Sequence, residues 1–220
     1  MSELYFAKNY VIEVIQDEDA ESPRTSFDNL GKMVCSHGRY FLGDEQLNVD
    51  DYNSWEEAKK DLVEDGLCLD LYLYDHSGIT ISTSPFASRW DSGQVGFIYV
   101  SKEDIRNIYG VKKVTKKIRE KVLEALQAEV ETYDQYLMGD IYGFKMWKIK
   151  DSYLEYMKKE NIDIEDLDIN VLQYHGEELN SCWGFYGDDI FENGMIDYLG
   201  LEKNIIEELK EKYNRKSIAV

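Results

Sequence analysis

Proline is nearly absent from this chain: Pro23 and Pro85 are the two in 220 residues, and neither stands in a linker-like run. No Ser/Gly-rich or other low-complexity tract separates two halves, so the sequence reads as a single compact domain, 1–220. Cysteine is scarce and odd in number. Cys35, Cys68 and Cys182 have no C-x-x-C spacing, which argues against a disulfide framework and against a zinc site, and fits a reducing cytoplasm. No apolar run approaches the roughly 20 residues of a membrane span. The opening "MSELYFAKNYVIEV" lacks the basic start and apolar core of a secretion signal. The expectation is a cytoplasmic protein without a membrane partner. Phosphate loops are missing too: there is no G-x-x-x-x-G-K-[ST], no G-x-G-x-x-G opening a helix, and no H-E-x-x-H. "WDSGQVG" is not a nucleophile elbow, because Trp90 stands where G-x-S-x-G needs glycine. No cofactor and no metal are expected.

Positive charge is in short supply. With 44 acidic against 25 basic residues, the formal charge is −19, a surface that repels nucleic acid and anionic membranes and attracts basic proteins. The simpler role of such charge is solubility. Its distribution is uneven. "KKVTKKIREK", 112–121, has six basic residues and one acidic, leaving −24 on the rest. Residues 44–65 hold nine acids against Lys59 and Lys60, and "ENIDIEDLD" at 160–168 is a second acidic run. Lysines at the start of a helix oppose its dipole, which leaves Lys112, Lys113, Lys116 and Lys117 as the one candidate for an anion contact.

What is present patterns clearly. "YVIEVI" reads as a strand, and the acidic 17–29 segment as an exposed loop. Ser54 and Glu57 have capping-box spacing before an apolar stripe of Trp55, Ala58, Leu62 and Val63, with Gly66 placed as a helix stop. "CLDLYLYD" alternates strictly, with Leu69, Leu71 and Leu73 on one face. With "GITIST" and "QVGFIYVS" it suggests an antiparallel meander. Ser101 caps a helix ending at Gly110. The longest helix follows Thr115 with Ile118, Val122, Leu126, Val130, Tyr133 and Leu137 on one face, and ends at Gly139. "DIYGFKMWKIK" and "SCWGFYG" are further strands, an acidic loop/helix insert covers about 151–170, and "EKNIIEELKEKYN" is a closing helix. Strands and helices do not alternate as in βαβ repeats. The fold class is α+β: a mostly antiparallel sheet with helices packed on one face.

The segment "DHSGITISTSPFASRWDSGQVG", 75–96, concentrates small polar groups. Asp75-His76-Ser77-Gly78 and Asp91-Ser92-Gly93 are good Asx-turn sequences, in which the carboxylate bonds the backbone two residues on. The sharper alternative is a ligand or catalytic site of Asp75, His76, Ser77, Trp90, Asp91, Ser92 and Gln94, with His76 as general base and Asp91 as its orienter or a metal ligand. His37, in "VCSHGRY", reads as a solvated or hydrogen-bonded loop residue. Cys182 and His175, seven residues apart, could meet as nucleophile and base if their segments pair, although acidic neighbours disfavour a thiolate.

The motifs D-H-S-G at 75–78, W-D-S-G-Q-V-G at 90–96, Y-D-Q-Y-L-x-G-D at 133–140 and C-W-G-F-Y-G at 182–187 together resemble a family of uncharacterised proteins encoded by bacteriophages, plasmids and other mobile elements. That family has no settled activity, so the resemblance transfers no catalytic residue. It implies a mobile-element origin and a bacterial host cell. Three functions follow as expectations. The first is an acidic interaction protein inhibiting a nucleic-acid-binding host defence factor, of antirestriction or anti-CRISPR type. Phosphate-mimicking carboxylates would carry it: Asp44, Glu45, Asp50, Asp51, Glu56, Glu57, Asp61, Glu64 and Asp65, with Glu160, Asp163, Glu165, Asp166 and Asp168. The second is an enzyme or small-ligand module on the 75–96 loops. The third is a nucleic-acid accessory protein using the 112–117 lysines.

Overall fold

The computed structural model describes residues 2–63, 65–88 and 90–214. In chain order the elements are β1 (Glu3–Ala7), β2 (Tyr10–Gln16), α1 (Pro23–Ser26), β3 (Lys32–Cys35), β4 (Glu45–Gln46), α2 (Trp55–Leu62), β5 (Gly66–Asp75), β6 (Ile79–Ser82), β7 (Ser92–Ser101), α3 (Lys102–Tyr109) and α4 (Lys116–Met138). They continue with β8 (Ile141–Ile149), α5 (Asp151–Glu160), α6 (Ile169–His175), β9 (Gly176–Tyr186) and α7 (Lys203–Asn214). Single-turn 3-10 helices lie at Val49–Asp51, Ile164–Asp166 and Met195–Tyr198. The fold is α+β. No helix among the described residues is long and apolar enough to cross a membrane.

The chain divides into two compact units: Glu21–Met138 forms one, and the segments on either side of it form the other. The boundaries fall after the acidic Asp17–Ala20 run and at Gly139, and neither belongs to a low-complexity linker, which is why the sequence reads as one domain. The strands make two sheets, ordered β1-β2-β8-β9 and β4-β3-β7-β5-β6, antiparallel throughout except for the short β3–β4 pair.

Both faces of each sheet are covered, where the sequence suggests helices on one. In the outer unit, Ile12, Val14, Phe144 and Met146 pack with Ile205 and Leu209 of α7, while Val11, Trp147 and Ile149 pack with Met157 of α5 and Leu172 of α6. The acidic insert therefore contributes part of a core. In the inserted unit, Met33, Leu71, Leu73 and Ile98 lie under Val122, Leu126 and Val130 of α4, and Val34 and Phe97 lie under Ala58 of α2. The strand runs carry the reason: "YVIEVI" and "VGFIYV" are nearly continuous in apolar residues, as two-sided burial requires.

Local signals are realised at several termini. Ser54 Oγ accepts from Glu57 N–H (3.2 Å), and Glu57 accepts from the backbone N–H and side-chain amide of Asn53 (both 2.8 Å). Ser101 caps α3, which ends at a left-handed Gly110. Gly66 is not a helix stop. Helix α2 ends at Leu62, and Gly66 opens β5 opposite Ser101, where any side chain would meet the Val100 backbone.

The meander expected of β5, β6 and β7 does not form. β5 lies between the other two, so residues 83–91 must carry the chain from β6 past β5 to its other side. Helix α4 then secures the β6 edge: Asp134 Oδ1 accepts from Thr80 Oγ and Ile81 N–H, both at 2.7 Å.

Candidate functional site

Antiparallel pairing puts the C-terminal ends of β3 and β5 and the N-terminal ends of β6 and β7 at one end of the five-stranded sheet. Three stretches distant in sequence meet there: 36–41, 74–78, and the described residues 86–88 with 90–92. Backbone bonds fix them, Ser36 N–H donating to Val95 O (2.7 Å) and Asp75 N–H to Asp91 O (2.8 Å).

Asp75 is the centre of the cluster, its side chain only 18% exposed. Its carboxylate receives the Arg39 guanidinium and lies 3.7 Å from His37 Nε2. His37 Nδ1 accepts from the Arg39 and Tyr40 backbone N–H groups (3.3 Å each), which fixes the neutral ring's proton on Nε2, facing Asp75. The Tyr40 ring stacks on His37 at 5.0 Å, with the Arg39 guanidinium 5.4 Å from the Tyr40 centroid. Asp91 accepts from Ser88 Oγ (3.2 Å) and lies 3.8 Å from His76 Nδ1. The Tyr74 ring sits between His76 and Phe86.

Asp75, His76 and Asp91 thus come together, and neither carboxylate makes the expected Asx turn. Asp75 is used on Arg39 and His37, and Asp91 on Ser88. Instead, the 76–78 turn is closed by backbone, His76 N–H donating to Gly78 O (3.1 Å), with Ser77 left-handed. The reactive geometry is limited. Ser77, Ser88 and Ser92 donate to His76 O, Asp91 and Ser88 O respectively, and none to an imidazole, so no serine–histidine relay exists. His76 to Asp91 is longer than a hydrogen bond. Among the described residues, no three His, Cys, Asp or Glu side chains are arranged to hold a metal ion. Gln94 is inside β7 opposite Tyr72, and no side-chain hydrogen bond to the loop cluster is found for it among the described residues. Trp90, at the tip of the 86–92 segment, is 97% exposed. Arg39 and Phe41 beside the cluster are 67% and 70% exposed.

Arg39 and Tyr40 are the functional candidates that sequence reasoning passes over, and His37 is the hydrogen-bonded loop residue its setting suggests, now facing Asp75. Nothing in "HGRY" points 38 residues downstream; the link is the β3–β7–β5 pairing.

The proposed phosphate-mimicking carboxylates separate into two groups. Asp44 is an internal ligand of Arg24 rather than a displayed charge. Glu45 pairs with Lys32, Asp65 with Lys102 and Glu165 with Lys212. Asp163 and Asp168 cap helical turns, Glu57 bonds Asn53, and Asp61 accepts from Tyr52 Oη. Asp50, Asp51, Glu56, Glu160 and Asp166 are exposed without an ion-pair partner among the described residues. Glu64 lies outside the described residues. The 44–65 and 160–168 groups belong to different units.

The cysteine alternative fails on geometry. His175 ends α6 and Cys182 is seven residues along the same strand system, about 20 Å at strand rise, while His175 stacks on Tyr153 at 4.0 Å. Burial pushes the Cys35 thiol up to about 12 and the Cys68 thiol up to about 11, so neither supplies a thiolate near neutral pH. Lys112, Lys113, Lys116 and Lys117 are exposed at and before the start of α4.

Compared with known proteins, the chain matches no family model, and no curated protein or solved structure matches it significantly.

Proposed function

We propose that this chain is an acidic interaction protein that engages a basic, nucleic-acid-binding host defence protein, as an antirestriction or anti-CRISPR inhibitor would. The contact surface is the end of the five-stranded sheet that carries Trp90. The observation behind this reading is an indole left 97% exposed at the same end of the sheet as exposed Arg39, Tyr40 and Phe41. Tryptophan, tyrosine and arginine dominate binding energy at protein interfaces, and a bare tryptophan on a folded surface is worth most when a partner buries it.

The charge supports the class of partner. β4 runs parallel to β3, so the segment after it, with Asp50 and Asp51, departs toward the same end of the sheet. These carboxylates and Glu56 supply negative charge that no ion pair among the described residues neutralises, which accelerates encounter with a Lys/Arg-lined groove and makes it salt-dependent. Asp44, Asp65 and Glu165 leave the list of contact residues, because their charges are spent inside the chain.

Affinity capture from a bacterial host lysate at low salt, read by mass spectrometry, tests the reading. Wild type should enrich a nucleic-acid-binding protein. Trp90→Ala should weaken capture by about 2 kcal/mol, roughly thirtyfold, and D50K/D51K/E56K should abolish its salt dependence. Capture indifferent to both variants and to salt would refute it.

The convergence of His37, Asp75, His76 and Asp91 favours a second reading, a small-ligand site at the same loops. It expects a metabolite that raises the melting temperature of wild type but not of Asp91→Ala. A screen in which every stabilising compound acts equally on both proteins eliminates it.

A further inference from the structure

β6 pairs only with Tyr72–Asp75 of β5, so among the described residues the outer edge of β5 from Gly66 to Leu71 has no strand beside it. A strand edge left this way presents unpaired backbone N–H and C=O groups to whatever can reach them. Here the open edge lies in a groove of about 530 Å³. Leu67, Cys68 and Leu69 of β5 form its floor, Lys59 and Lys60 of α2 with Val63 just after it contribute one wall, and α4 the other with Arg119 and Leu123.

The walls are positive in a chain of net charge −19. Glu56 is the one acid among the described lining residues, and Lys59 is already paired with Asp70 at 2.7 Å. Lys60 and Arg119 have no ion-pair partner among the described residues. Lys116 is three residues before Arg119 on the same side of α4 and is 3.8 Å from Glu120. The basic 112–121 run, which the proposed function leaves unused, therefore borders an unpaired strand edge.

We propose that this half-open edge of β5 accepts an extended acidic peptide as an added strand. Backbone pairing along Gly66–Leu71 would supply affinity over about 20 Å, and successive side chains of the added strand would turn alternately toward the α2 and α4 walls. Acidic side chains then meet Lys60 on one side and Arg119 on the other. Nucleic acid is the poorer occupant: it has no donor–acceptor backbone to complete a sheet, and the remainder of the chain repels it.

The test uses the full chain and a fluorescein-labelled heptapeptide in which adjacent glutamate pairs are separated by single valines, so that acids face both walls, followed by fluorescence anisotropy at low salt. Wild type should bind it, and K60E/R119E, with its fold checked by circular dichroism, should bind at least about tenfold more weakly. A peptide N-methylated at alternate amides keeps its charge but cannot pair as a strand, and should lose binding to wild type; this arm decides the matter even if the double variant misfolds. Absence of binding by the parent peptide, equal binding by the N-methylated peptide, or equal binding by a folded K60E/R119E overturns the proposal. Tighter binding of labelled oligothymidine than of the peptide would also overturn it and assign the groove to nucleic acid.

Discussion

Replacing Arg24 by methionine should lower the stability of the Glu21–Met138 unit by about 3–5 kcal/mol, the range for removing one member of a buried ionic group. The side chain is 2% exposed. Its Nε and Nη2 hold the two Asp44 oxygens at 3.0 and 2.6 Å, Nη1 donates to Glu129 at 2.8 Å, and Nη2 also donates to Gly31 O at 2.6 Å. Burial alone would disfavour the charge, but the hydrogen bonds to Asp44 and Glu129 outweigh it and raise the guanidinium's proton affinity above its ordinary value.

The two carboxylates do further work. Asp44 accepts from Met33 N–H at 2.6 Å, and Glu129, from α4, accepts from Leu30 N–H at 2.6 Å and Gly31 N–H at 3.2 Å. One guanidinium therefore joins α1, the turn before β3, the β3–β4 connection and α4. Methionine fills similar volume but leaves two carboxylates facing each other without a cation. Urea unfolding followed by circular dichroism gives the loss, and hydrogen exchange at the Leu30, Gly31 and Met33 amides locates it. Arg24→Lys should lose less, since an ammonium keeps the charge without the planar fork. A methionine variant within 1 kcal/mol of wild type would show the network to be dispensable.

Phe97→Ala should destabilise the same unit by about 3–5 kcal/mol, and should release α2 in particular. Phe97 is completely buried between Val34, Leu47 and Ala58, with the Trp55 ring edge-on at 5.7 Å. Helix α2 has eight residues, too few to persist without tertiary packing, and this ring is what it packs on. Amides of α2 should exchange faster while those of α4, on the opposite face, change less. Glu57 supplies a second readout. Its backbone and side-chain bonds from Asn53 hold its carboxyl below the ordinary value of 4.5, so in the folded protein it stays ionised at pH values where a free glutamate takes up a proton. That contribution is present above pH 4.5 and disappears as pH falls through the lowered value. In Phe97→Ala the Glu57 carboxyl should titrate closer to 4.5 by NMR. A uniform rise in exchange over both helices, with Glu57 unchanged, would place the role of Phe97 elsewhere.

These residues separate what is written locally from what is not. The Ser54 and Ser101 caps, the α4 stripe from Val122 to Tyr133, the alternation of Leu69, Leu71 and Leu73, and the stops at Gly110 and Gly139 follow from forces acting within one turn or one strand, and the sequence alone determines them, together with the α+β class. Strand order is different. Whether β7 lies beyond β6 or crosses to the other side of β5 depends on which long-range pairing buries more surface, and no local pattern of residues encodes it. That choice carries His37 and Arg39 to Asp75. It also leaves Gly66–Leu71 paired with β7 on one edge and with no strand among the described residues on the other. Asp44 makes the same point for charge: in the sequence it is one of nine acids between 44 and 65, and only the buried Arg24 beside it in the folded chain turns a surface carboxylate into an internal one.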